Sequence, residues 1–338
     1  MNNKKQKILV TGGTGYIGSH TVVLLIEQGY DVVIIDNLIN SDKDVVGKIA
    51  KIAGVKPIFV KGDLCNRDCL DKLFGEHKFD AVIHFAALKI MGESIEKPLA
   101  YYQNNITGTL NLLEAMNNHG VHKIVFSSSA SVYGLPKSNP IKEDFSVSTN
   151  NPYAATKLMM ENILIDVANA NKDFCAIILR YFNPIGAHPS GLIGEIPQGV
   201  PTNIAPFIMQ VAGGLRPHLN VFGNDFDTVD GTGVRDYIHV MDLGAGHIAA
   251  LDKINQSGVH IYNLGTGKGT SVLQLHKAFE KAVGKEIPYK FAPRRGNDVG
   301  ECYANADKAK RDLGWQTKLG LDDMCASGWN FYNKNNKS

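Results

Sequence analysis

Several features are scarce in this 338-residue sequence, and each absence argues against a class of protein. No charge of one sign dominates, since 35 Lys and Arg stand against 33 Asp and Glu, so there is no field to gather nucleic acid or an anionic membrane. The five cysteines form no C-x-x-C pair and the histidines form no H-E-x-x-H, which argues against a disulfide framework and a metal site. We therefore expect small-molecule partners, no metal and a reduced, cytoplasmic setting.

Long apolar runs are also missing. The stretches DVVIID and AVIHFAA have the length of strands, well below the roughly 20 residues that a membrane helix requires. The opening MNNKKQKILVTGG contains too short an apolar stretch for a signal-peptide core. We expect a protein that does not contact membranes.

The first half of the chain alternates short β-rich runs with helix-favouring segments. This alternation predicts an α/β fold with a Rossmann-like, doubly wound parallel sheet over residues 1–180. The strands are apolar almost throughout, as expected where helices cover both faces of a sheet. The predicted strands are KILVTG, DVVIIDN, KPIFVKGD, DAVIHFAA, HKIVFSSS and FCAIILRYF.

A smaller, loop-rich lobe is predicted over residues 181–338. It opens with FNPIGAHPSGLIGEIPQGVPTNIAPF, which is rich in Pro and Gly and has little helical or strand periodicity. Further on, VRDYIHVMD and HIYNLGTG predict strands, and SVLQLHKAFEKAVG predicts a helix. We expect some of these segments, at about 235–265, to return to the first domain.

A glycine-rich turn follows the first predicted strand. Gly13, Gly15 and Gly18 form a G-x-G-x-x-G, and Gly12 in place of Gly13 gives a G-x-x-G-x-x-G. Such glycines permit a tight turn and let backbone amides approach a pyrophosphate at the start of the next helix. A glycine-rich turn without a ligand is the alternative. Because the second strand ends in the acidic Asp36, the combined pattern predicts a dinucleotide site.

Asp36 also indicates which dinucleotide binds. A carboxylate at this point accepts hydrogen bonds from the adenosine ribose and repels the 2′-phosphate of NADP. No Arg follows it in DNLINSDKD, although Lys43 lies nearby. We predict NAD as the cofactor and residues 1–180 as the NAD-binding domain.

A Tyr and a Lys share one face of a predicted helix. In NPYAATKLMMENILIDVA, which opens after a proline, Tyr153 and Lys157 stand four residues apart. A Lys ammonium favours the phenolate of a neighbouring Tyr and lowers the phenol's pKa from about 10. Ser129 lies in SSSASVYG, at the carboxyl end of a strand, where doubly wound sheets bind ligands. A surface Tyr beside a solvated Lys, and a Ser-rich turn, are the alternatives; taken together, the three residues predict a proton relay beside a hydride acceptor.

Many further motifs occur in an order that resembles the extended short-chain dehydrogenase/reductase family, in particular its members that invert the 4-hydroxyl of UDP-hexoses. The resemblance covers essentially the whole chain. It rests on TGGTGYIGSH, HFAALKIMGES, KPLAYYQNN, SSSASVYG, PYAATK, RYFNPIGAH, GVPTNIAPF, FGNDFDTVDGTGVRDYIHVMD and YNLGTG.

The resemblance implies an isomerase that interconverts UDP-galactose and UDP-glucose. Tyr153, helped by Ser129, takes the 4-hydroxyl proton while the C4 hydride is stored transiently on bound NAD, which gives a 4-keto sugar. Hydride and proton then return to the opposite face. The cofactor-binding residues that the resemblance implies are Gly12, Gly15, Tyr16, Ile17, Asp36, Asn37, Asn40, Ser41, Asp63, Leu64, Phe85, Ala86, Lys89, Asn104, Lys157 and Tyr181.

The resemblance also implies a set of residues that bind the UDP-sugar. Arg235 and Arg295 suit a diphosphate because a guanidinium meets phosphate oxygens with two bonds, although each could instead form a surface ion pair. Phe222 either stacks on uracil or fills the core. Asp63 either contacts adenine or is an ordinary turn aspartate. The implied substrate residues are Ser129, Asn183, Asn203, Phe222, Arg235, Tyr237, Arg295, Asp298 and Cys302.

Cys302 departs from the pattern of relatives restricted to plain hexoses, which have a bulky Tyr at this position. A small side chain leaves room for an N-acetyl group, so UDP-N-acetylglucosamine and UDP-N-acetylgalactosamine are expected as further substrates. Tyr303 leaves the alignment uncertain by one residue, and a buried structural thiol is the alternative.

Two further expectations concern assembly and rival functions. The helix that carries Tyr153 is apolar nearly all round, and the resemblance implies pairing through such helices, so we expect a homodimer. A nucleotide-sugar dehydratase or decarboxylase is the nearest rival, but SSSASVYG lacks the acid and base that dehydration needs. A non-catalytic NAD-sensing regulator is a second rival, and the intact relay argues against it.

Overall fold

The computed structural model describes residues 5–296 and 299–336. Within these residues the chain divides into two compact units. The first consists of the described residues of Met1–Gly134, Ser146–Arg180 and Gly244–Tyr262; the second consists of those of Leu135–Phe145, Tyr181–Leu243 and Asn263–Ser338. The assignment of residues 1–180 to NAD and 181–338 to the UDP-sugar stays a prediction. Asp298, an implied substrate residue, lies outside the described residues.

The strands of the first half correspond to the six predicted apolar runs. The described strands are β1 (Lys7–Thr11), β2 (Asp31–Asp36), β3 (Ile58–Lys61), β4 (Ala81–His84), β5 (Lys123–Ser127), β6 (Cys175–Tyr181), β7 (Asn183–Ile185), β8 (Leu219–Phe222), β9 (Val234–Arg235), β10 (Tyr237–His239), β11 (Gly258–Leu264), β12 (Thr270–Ser271), β13 (Tyr289–Ala292) and β14 (Glu301–Cys302).

The helices separate the strands. The described α-helices are α1 (Tyr16–Glu27), α2 (Asp44–Ala53), α3 (Arg67–Glu76), α4 (Met91–Glu96), α5 (Pro98–Tyr102), α6 (Gly108–Asn118), α7 (Pro152–Ala170), α8 (Ile204–Ala212), α9 (Val240–Lys253), α10 (Val272–Val283), α11 (Asp307–Leu313) and α12 (Leu321–Asn336). A π-helical turn, Gln103–Thr107, joins α5 to α6, and a 3₁₀ turn, Ala130–Tyr133, follows β5.

Seven strands form one sheet in the order β11-β6-β5-β4-β1-β2-β3. The pairs from β3 to β6 are parallel; in the register, Val10 of β1 lies beside Ile34 of β2 on one side and Ile83 of β4 on the other. This confirms the predicted Rossmann-like fold. The chain changes direction across the sheet at β1, and in such folds ligands bind outside the carboxyl ends of the strands at this point.

The inner strands of the sheet are apolar almost throughout because they are buried. Leu9 of β1, Val33 of β2 and Val82 of β4 are fully buried, in a core cluster that also contains side chains of α3, α6 and α7. β3 is the edge strand, and its residues are only half-buried or exposed. The strand ends that carry the predicted relay and glycine turn are therefore held by a close-packed layer.

The second unit differs from the sequence expectations in two places. VRDYIHVMD forms two short strands, β9 and β10, and then the start of α9 at Val240, so its last residues are helical. The Pro- and Gly-rich stretch after Tyr181 contains α8, which was not predicted. Pro206 lies in the first turn of α8, where a missing N–H costs no helical hydrogen bond, so this proline does not break the helix.

A separate hydrophobic cluster stabilises the second unit. It contains Ile208 of α8, Val221 of β8, Phe279 of α10 and Met324 of α12, all buried. The predicted helix SVLQLHKAFEKAVG is confirmed as α10, whose N-terminus carries a capping box between Ser271 and Gln274. None of the helices within the described residues has the length and apolarity to cross a membrane.

Gly12, which follows β1, is expected to be essential for the close packing of its turn against the backbone of Ala86 in the first unit. It has φ +69°, and a Cβ there would come within 2.7 Å of the backbone N of Ala86. Gly54 has nearly the same φ, +72°, but open space around it. We predict that Gly54→Ala lowers the free energy of unfolding by about 1 kcal/mol, from backbone strain alone, and that Gly12→Ala lowers it by about 3 kcal/mol because the strand end must shift. Urea denaturation measures both; equal losses would contradict the prediction.

Candidate functional site

The glycine turn joins β1 directly to α1. Gly15 is the N-cap residue of α1, so no side chain caps this helix, and its amide donates to the carbonyl of Gly12 at 3.1 Å. A Cβ on Gly18 would collide with that same carbonyl, which shows how closely the helix lies against the turn. The positive end of α1 therefore faces a loop of bare backbone, an arrangement that suits a pyrophosphate.

Asp36 is fixed at the end of β2 by three donors. Its Oδ1 accepts from the amide of Leu38 at 2.9 Å and from the hydroxyl of Ser41 at 3.2 Å, and its Oδ2 accepts from the amide of Thr14 at 3.2 Å. A carboxylate offers about four acceptor positions, so capacity remains for a ribose hydroxyl. The structure brings the predicted residues Asp36 and Ser41 together at the glycine turn.

The remaining residues of the first unit that were predicted to bind the cofactor differ in their contacts and exposure. Asp63 accepts from the amide of Cys65 at 2.8 Å, as a turn aspartate does, and from the side chain of Asn37 at 3.0 Å. The side chain of Leu64 belongs to the core, so only its backbone is available to a ligand. The Lys89 ammonium lies 6.0 Å from the centre of the Tyr16 ring. Ile17 and Asn104 are half-buried, and Asn40 is exposed.

A buried chain of hydrogen bonds holds the end of β4. The hydroxyl of Thr109 donates to the carbonyl of Asn105, so its oxygen accepts from Nε2 of His84. Nδ1 of His84 then accepts from the Thr11 hydroxyl at 2.7 Å, and that oxygen accepts from the amide of Ala86. Burial, followed by the charge of Lys157, lowers the pKa of His84 to about 3, so this histidine is neutral.

Phe85, predicted to contact the cofactor, follows β4. Its amide donates to the carbonyl of Thr11 at 3.1 Å, and its ring lies 4.6 Å from the ring of His247, centre to centre. Phe85 and Ala86 therefore extend the chain from the end of β4 alongside the glycine turn. This position is compatible with both of the roles considered, strand packing and cofactor contact.

The predicted relay residues lie on α7 and at the end of β5. Asn151 caps α7 by accepting from the amide of Ala154 at 2.9 Å, and Pro152 occupies the first helical position. Tyr153 is 8% exposed and Lys157, one turn later, is 3% exposed, so neither is the surface side chain of the alternative interpretation. Ser129 is the N-cap residue of the 3₁₀ turn after β5, and its oxygen accepts from the Ser131 hydroxyl at 2.9 Å.

Lys157 connects these two elements. Its Nζ donates to the carbonyl of Ser127 at 2.7 Å and lies 5.0 Å from the centre of the Phe126 ring. Burial lowers the pKa of Lys157 to about 7, while the negative charge of Glu161 opposes this shift. The ammonium form of Lys157 is therefore sensitive to small changes in its surroundings.

In the second unit, Arg235 and Tyr237 flank the buried Asp236. The carboxylate of Asp236 accepts from Thr266, Gly267 and Ala304. Arg235 donates to the carbonyls of Val234 and Val299, at 2.8 and 2.9 Å.

The positive charges of Arg235 and Arg295 both affect the pKa of Tyr237 in this unit. Burial raises the pKa of Tyr237 to about 12, and the charges of Arg235 and Arg295 oppose the shift. Arg295 lies 5.0 Å from the centre of the Phe222 ring, and Phe222 is 39% exposed, so it does not fill the core. The neighbouring Arg294 pairs with Asp225 at 2.6 Å. The cluster of Arg235, Arg295 and Phe222 combines positive charge with an open aromatic face.

Cys302 lies beside Arg235. β14 and β9 pair in parallel with Cys302 opposite Arg235, so the two side chains share a face of this small sheet. Tyr303 points to the opposite face, where a Cβ on Gly269 would come within 3.2 Å of its ring. Burial raises the pKa of the Cys302 thiol to about 11, so the thiol is neutral. The geometry selects Cys302 over Tyr303 as the residue beside the predicted phosphate-binding Arg.

Three further predicted ligand-binding residues lie on other elements of the structure. Asn203 is exposed and donates from Nδ2 to Glu195 at 2.6 Å, and Asn183 opens β7, with its amide bonded to the carbonyl of Asp236. Tyr181 is the last residue of β6. Within 5–296 and 299–336, no three His, Cys, Asp or Glu side chains form a group that could hold a metal ion.

One buried ion pair next to the predicted relay residues was not predicted from the sequence. Arg180 of β6 donates from Nη2 to Glu161 of α7 at 2.6 Å, and both side chains are buried. The signal was a single Arg in the apolar strand FCAIILRYF and a single Glu amid the apolar MMENIL. Charged residues are rarely buried unless they are paired, so these two positions could have been singled out.

Comparison with known proteins agrees with the motifs. A family model described as GDP-mannose 4,6 dehydratase matches residues 9–327. The UDP-glucose 4-epimerase of Bacillus subtilis (strain 168) is 55% identical over 329 residues, which cover 97% of each chain. This confirms the resemblance drawn from the sequence.

Solved structures agree as well. The crystal structure of UDP-glucose 4-epimerase from Bifidobacterium longum in complex with NAD+ and UDP matches with a TM-score of 0.95 and 49% identity, over 98% of this chain and 99% of that chain. The UDP-Glc/GlcNAc 4-epimerase from Campylobacter jejuni matches with a TM-score of 0.85 and 37% identity, over 97% of this chain and 99% of that one. The chain therefore belongs to the family described as GDP-mannose 4,6 dehydratase, in the branch that contains these UDP-glucose 4-epimerases.

Proposed function

We propose that this protein is an NAD-dependent epimerase that interconverts UDP-galactose and UDP-glucose by inverting the 4-hydroxyl. The observation that carries the proposal is the relay itself: Tyr153 and Lys157 are buried one turn apart on α7, and Ser129 follows the strand end to which Lys157 is bonded. The 55% identity to the Bacillus subtilis epimerase supports the same reaction.

The residues at the glycine turn fit NAD. The N-terminus of α1 has no side-chain cap, so it can face a pyrophosphate, and Asp36 retains acceptor capacity. The fixed negative charge of Asp36 disfavours the 2′-phosphate of NADP. NAD, when bound, supplies the group that accepts and returns the C4 hydride.

The side chains of the relay move the proton. Tyr153 as phenolate takes the proton of the 4-hydroxyl and later returns it, with Ser129 donating to and accepting from the same sugar oxygen. The ammonium of Lys157 favours the phenolate electrostatically. Inversion requires that the 4-keto sugar present its opposite face before it is reduced.

The second unit carries the proposed UDP-binding residues. Arg235 and Arg295 suit the diphosphate, and the exposed ring of Phe222 suits stacking on uracil. The Bifidobacterium longum structure is a complex with NAD+ and UDP, which supports this assignment. The rival dehydratase reaction is not supported, because Ser129 is followed by Ala130 and Ser131 and not by an acid and a base.

Replacing the proposed base tests the mechanism. We expect Tyr153→Phe to lower kcat for UDP-galactose by about 10² to 10⁴, since it removes the proton-transfer group, while KM changes less than about threefold. A coupled assay for UDP-glucose formation measures both constants. Tyr289→Phe, at a 41% exposed tyrosine of β13, is the matched control and should match the wild type. Full activity in Tyr153→Phe would remove Tyr153 from this role.

We further propose that Cys302 admits an N-acetyl group, so that UDP-N-acetylglucosamine and UDP-N-acetylgalactosamine are also substrates. The thiol is small and shares a sheet face with Arg235. The Campylobacter jejuni relative, named as a UDP-Glc/GlcNAc 4-epimerase, supports dual specificity within this branch.

A change of size at residue 302 tests this specificity. We expect Cys302→Tyr to lower kcat/KM for UDP-N-acetylglucosamine by about tenfold or more and to leave UDP-glucose within about threefold, because the phenol occupies the space of the N-acetyl group. Cys302→Ala is the control and should retain both activities. A wild type that is inert towards the N-acetylated sugar would end the proposal.

We also propose a homodimer that forms through α4, α5 and α7. These helices pack against one another, yet they expose Met91, Ile95, Leu99 and Met159, with Leu99 at 81%. A group of exposed apolar side chains on neighbouring helices is typical of an interface.

Multi-angle light scattering measures the assembly. We expect the wild type to have twice the mass of one chain and Ile95→Glu/Leu99→Glu to be monomeric, because two charges would be buried without partners. Val55→Glu, at an exposed apolar residue after α2, is the control and should leave the mass unchanged. A monomeric wild type would refute the homodimer.

A further inference from the structure

The buried pair of Glu161 and Arg180 has more contacts than an ion pair requires. Arg180 donates from Nε to both carboxylate oxygens of Glu161, at 3.1 and 3.2 Å, in addition to the Nη2 bond. Its Nη1 donates to the hydroxyl of Tyr133 at 3.0 Å, and the guanidinium lies 4.9 Å from the centre of that ring. Burial disfavours the charge of Arg180, but its bonds to Glu161 outweigh this and raise its pKa. The geometry of the pair is therefore tightly determined.

Stability alone does not account for a pair in this position. Two charges lose hydration on burial, and replacing such a pair by apolar side chains of similar volume is often neutral or stabilising. The side chains of Glu161 and Arg180 are 1% and 5% exposed, within a layer of apolar strands and helices. A role beyond packing is the simpler explanation for retaining both charges.

The pair is connected to the relay through the serine segment. Glu161 accepts from the hydroxyl of Ser128 at 2.5 Å, and Ser128 lies between Ser127, whose carbonyl binds Lys157, and Ser129. The amide of Ser128 donates to the carbonyl of Leu179 on β6, next to Arg180. One carboxylate therefore ties α7 to both strand ends at the point where the relay is assembled.

The pair also acts on the charge of Lys157. Glu161 lies one helical turn after Lys157 on α7, and its charge favours the ammonium that burial disfavours. The other groups that face Lys157 are the carbonyl of Ser127 and the ring of Phe126 from β5, the neutral His84 from β4, and Tyr153 one turn earlier on α7. Glu161 is the acidic group in this set, and the guanidinium of Arg180 from β6 is bonded to it.

We infer that Glu161, held by Arg180, is a positioning residue for the proposed epimerase reaction: it fixes the Ser127–Ser129 segment against α7 and places a carboxylate one helical turn from Lys157. This inference rests on the proposed function for its effect on catalysis. Its effect on Lys157 is a property of the first unit alone and is measurable without turnover.

Three variants separate the possible roles. Glu161→Met/Arg180→Met removes both charges together, so no unpaired charge stays buried. Ser128→Ala breaks the tie to the serine segment but leaves both charges in place. Asp166→Asn is the matched control, because it removes an acidic charge that is exposed on the same helix. All are prepared as the full chain, with thermal unfolding and bound NAD measured for each.

The first readout is the titration of Lys157 by NMR, in protein with ¹³Cε-labelled lysine and with Lys157→Arg to assign the signal. The double variant removes the charges of both Glu161 and Arg180. Because Glu161 is the one of the two whose charge raises the pKa of Lys157, the double variant should titrate at lower pH than the wild type. Ser128→Ala and Asp166→Asn should titrate as the wild type does. The alkaline limb of the kcat profile should shift to lower pH in the double variant, in the same direction.

The second readout is steady-state kinetics with UDP-galactose. We expect kcat to fall by about tenfold to a hundredfold in the double variant and by a smaller factor in Ser128→Ala, with KM within about threefold, since misplacement affects the reacting groups and not UDP binding. A folded double variant with wild-type kcat and an unshifted Lys157 titration would overturn the inference. If the double variant does not fold, wild-type kcat in Ser128→Ala would overturn the positioning of the serine segment.

The two proposals can fail separately. A wild type without epimerase activity would refute the proposed function, and the Lys157 titration would still decide whether Glu161 controls the charge. An active wild type, with a folded double variant that keeps the wild-type kcat and an unshifted Lys157 titration, would refute only the inference.

Discussion

The bond from the Lys157 ammonium to the carbonyl of Ser127 is the constraint on which the geometry of the proposed relay depends. A buried ammonium requires a partner, and a strand-end carbonyl supplies one at 2.7 Å. Because Ser127 ends β5 and Lys157 lies on α7, this bond sets the distance between the two elements. Tyr153 is one turn before Lys157, and Ser129 is two residues after Ser127. The bond therefore constrains the distance between Tyr153 and Ser129 in the proposed relay.

The second unit uses a buried charge of the opposite sign in a comparable way. The carboxylate of Asp236 is fully buried and accepts from backbone amides of Thr266, Gly267 and Ala304. Burial raises the pKa of Asp236, and these hydrogen bonds oppose the shift. Because backbone groups from separate segments bind one carboxylate, Arg235 next to it lies on a rigid support. In both units, a charge satisfied largely by backbone groups fixes the residues that flank it.

How much the sequence predicts depends on whether a feature is local. The strands of the first unit were predicted because apolar runs between turn residues are a local signal, and the glycine turn was predicted because its spacing is local too. α8 was missed because Pro and Gly surround it, and the tolerance of Pro206 follows only from its place in the first turn. The pairing of Glu161 with Arg180, and of Cys302 with Arg235, joins distant parts of the chain, and no local pattern carries that information.

The family's description as a dehydratase and the branch's relatives as epimerases show how little separates reactions on one scaffold. In the mechanism that we propose, the glycine turn, the strand order and the Tyr–Lys pair place a base beside a hydride acceptor, which both kinds of reaction need. The turn after β5 favours epimerisation over dehydration. An elimination needs an acid near this strand end, and the turn instead presents hydroxyl groups, with Ser131 donating to Ser129 at 2.9 Å. A hydroxyl at neutral pH exchanges a hydrogen bond but does not protonate a leaving group efficiently. We therefore propose that the side chains of this one short turn limit the relay to removing and returning the same proton.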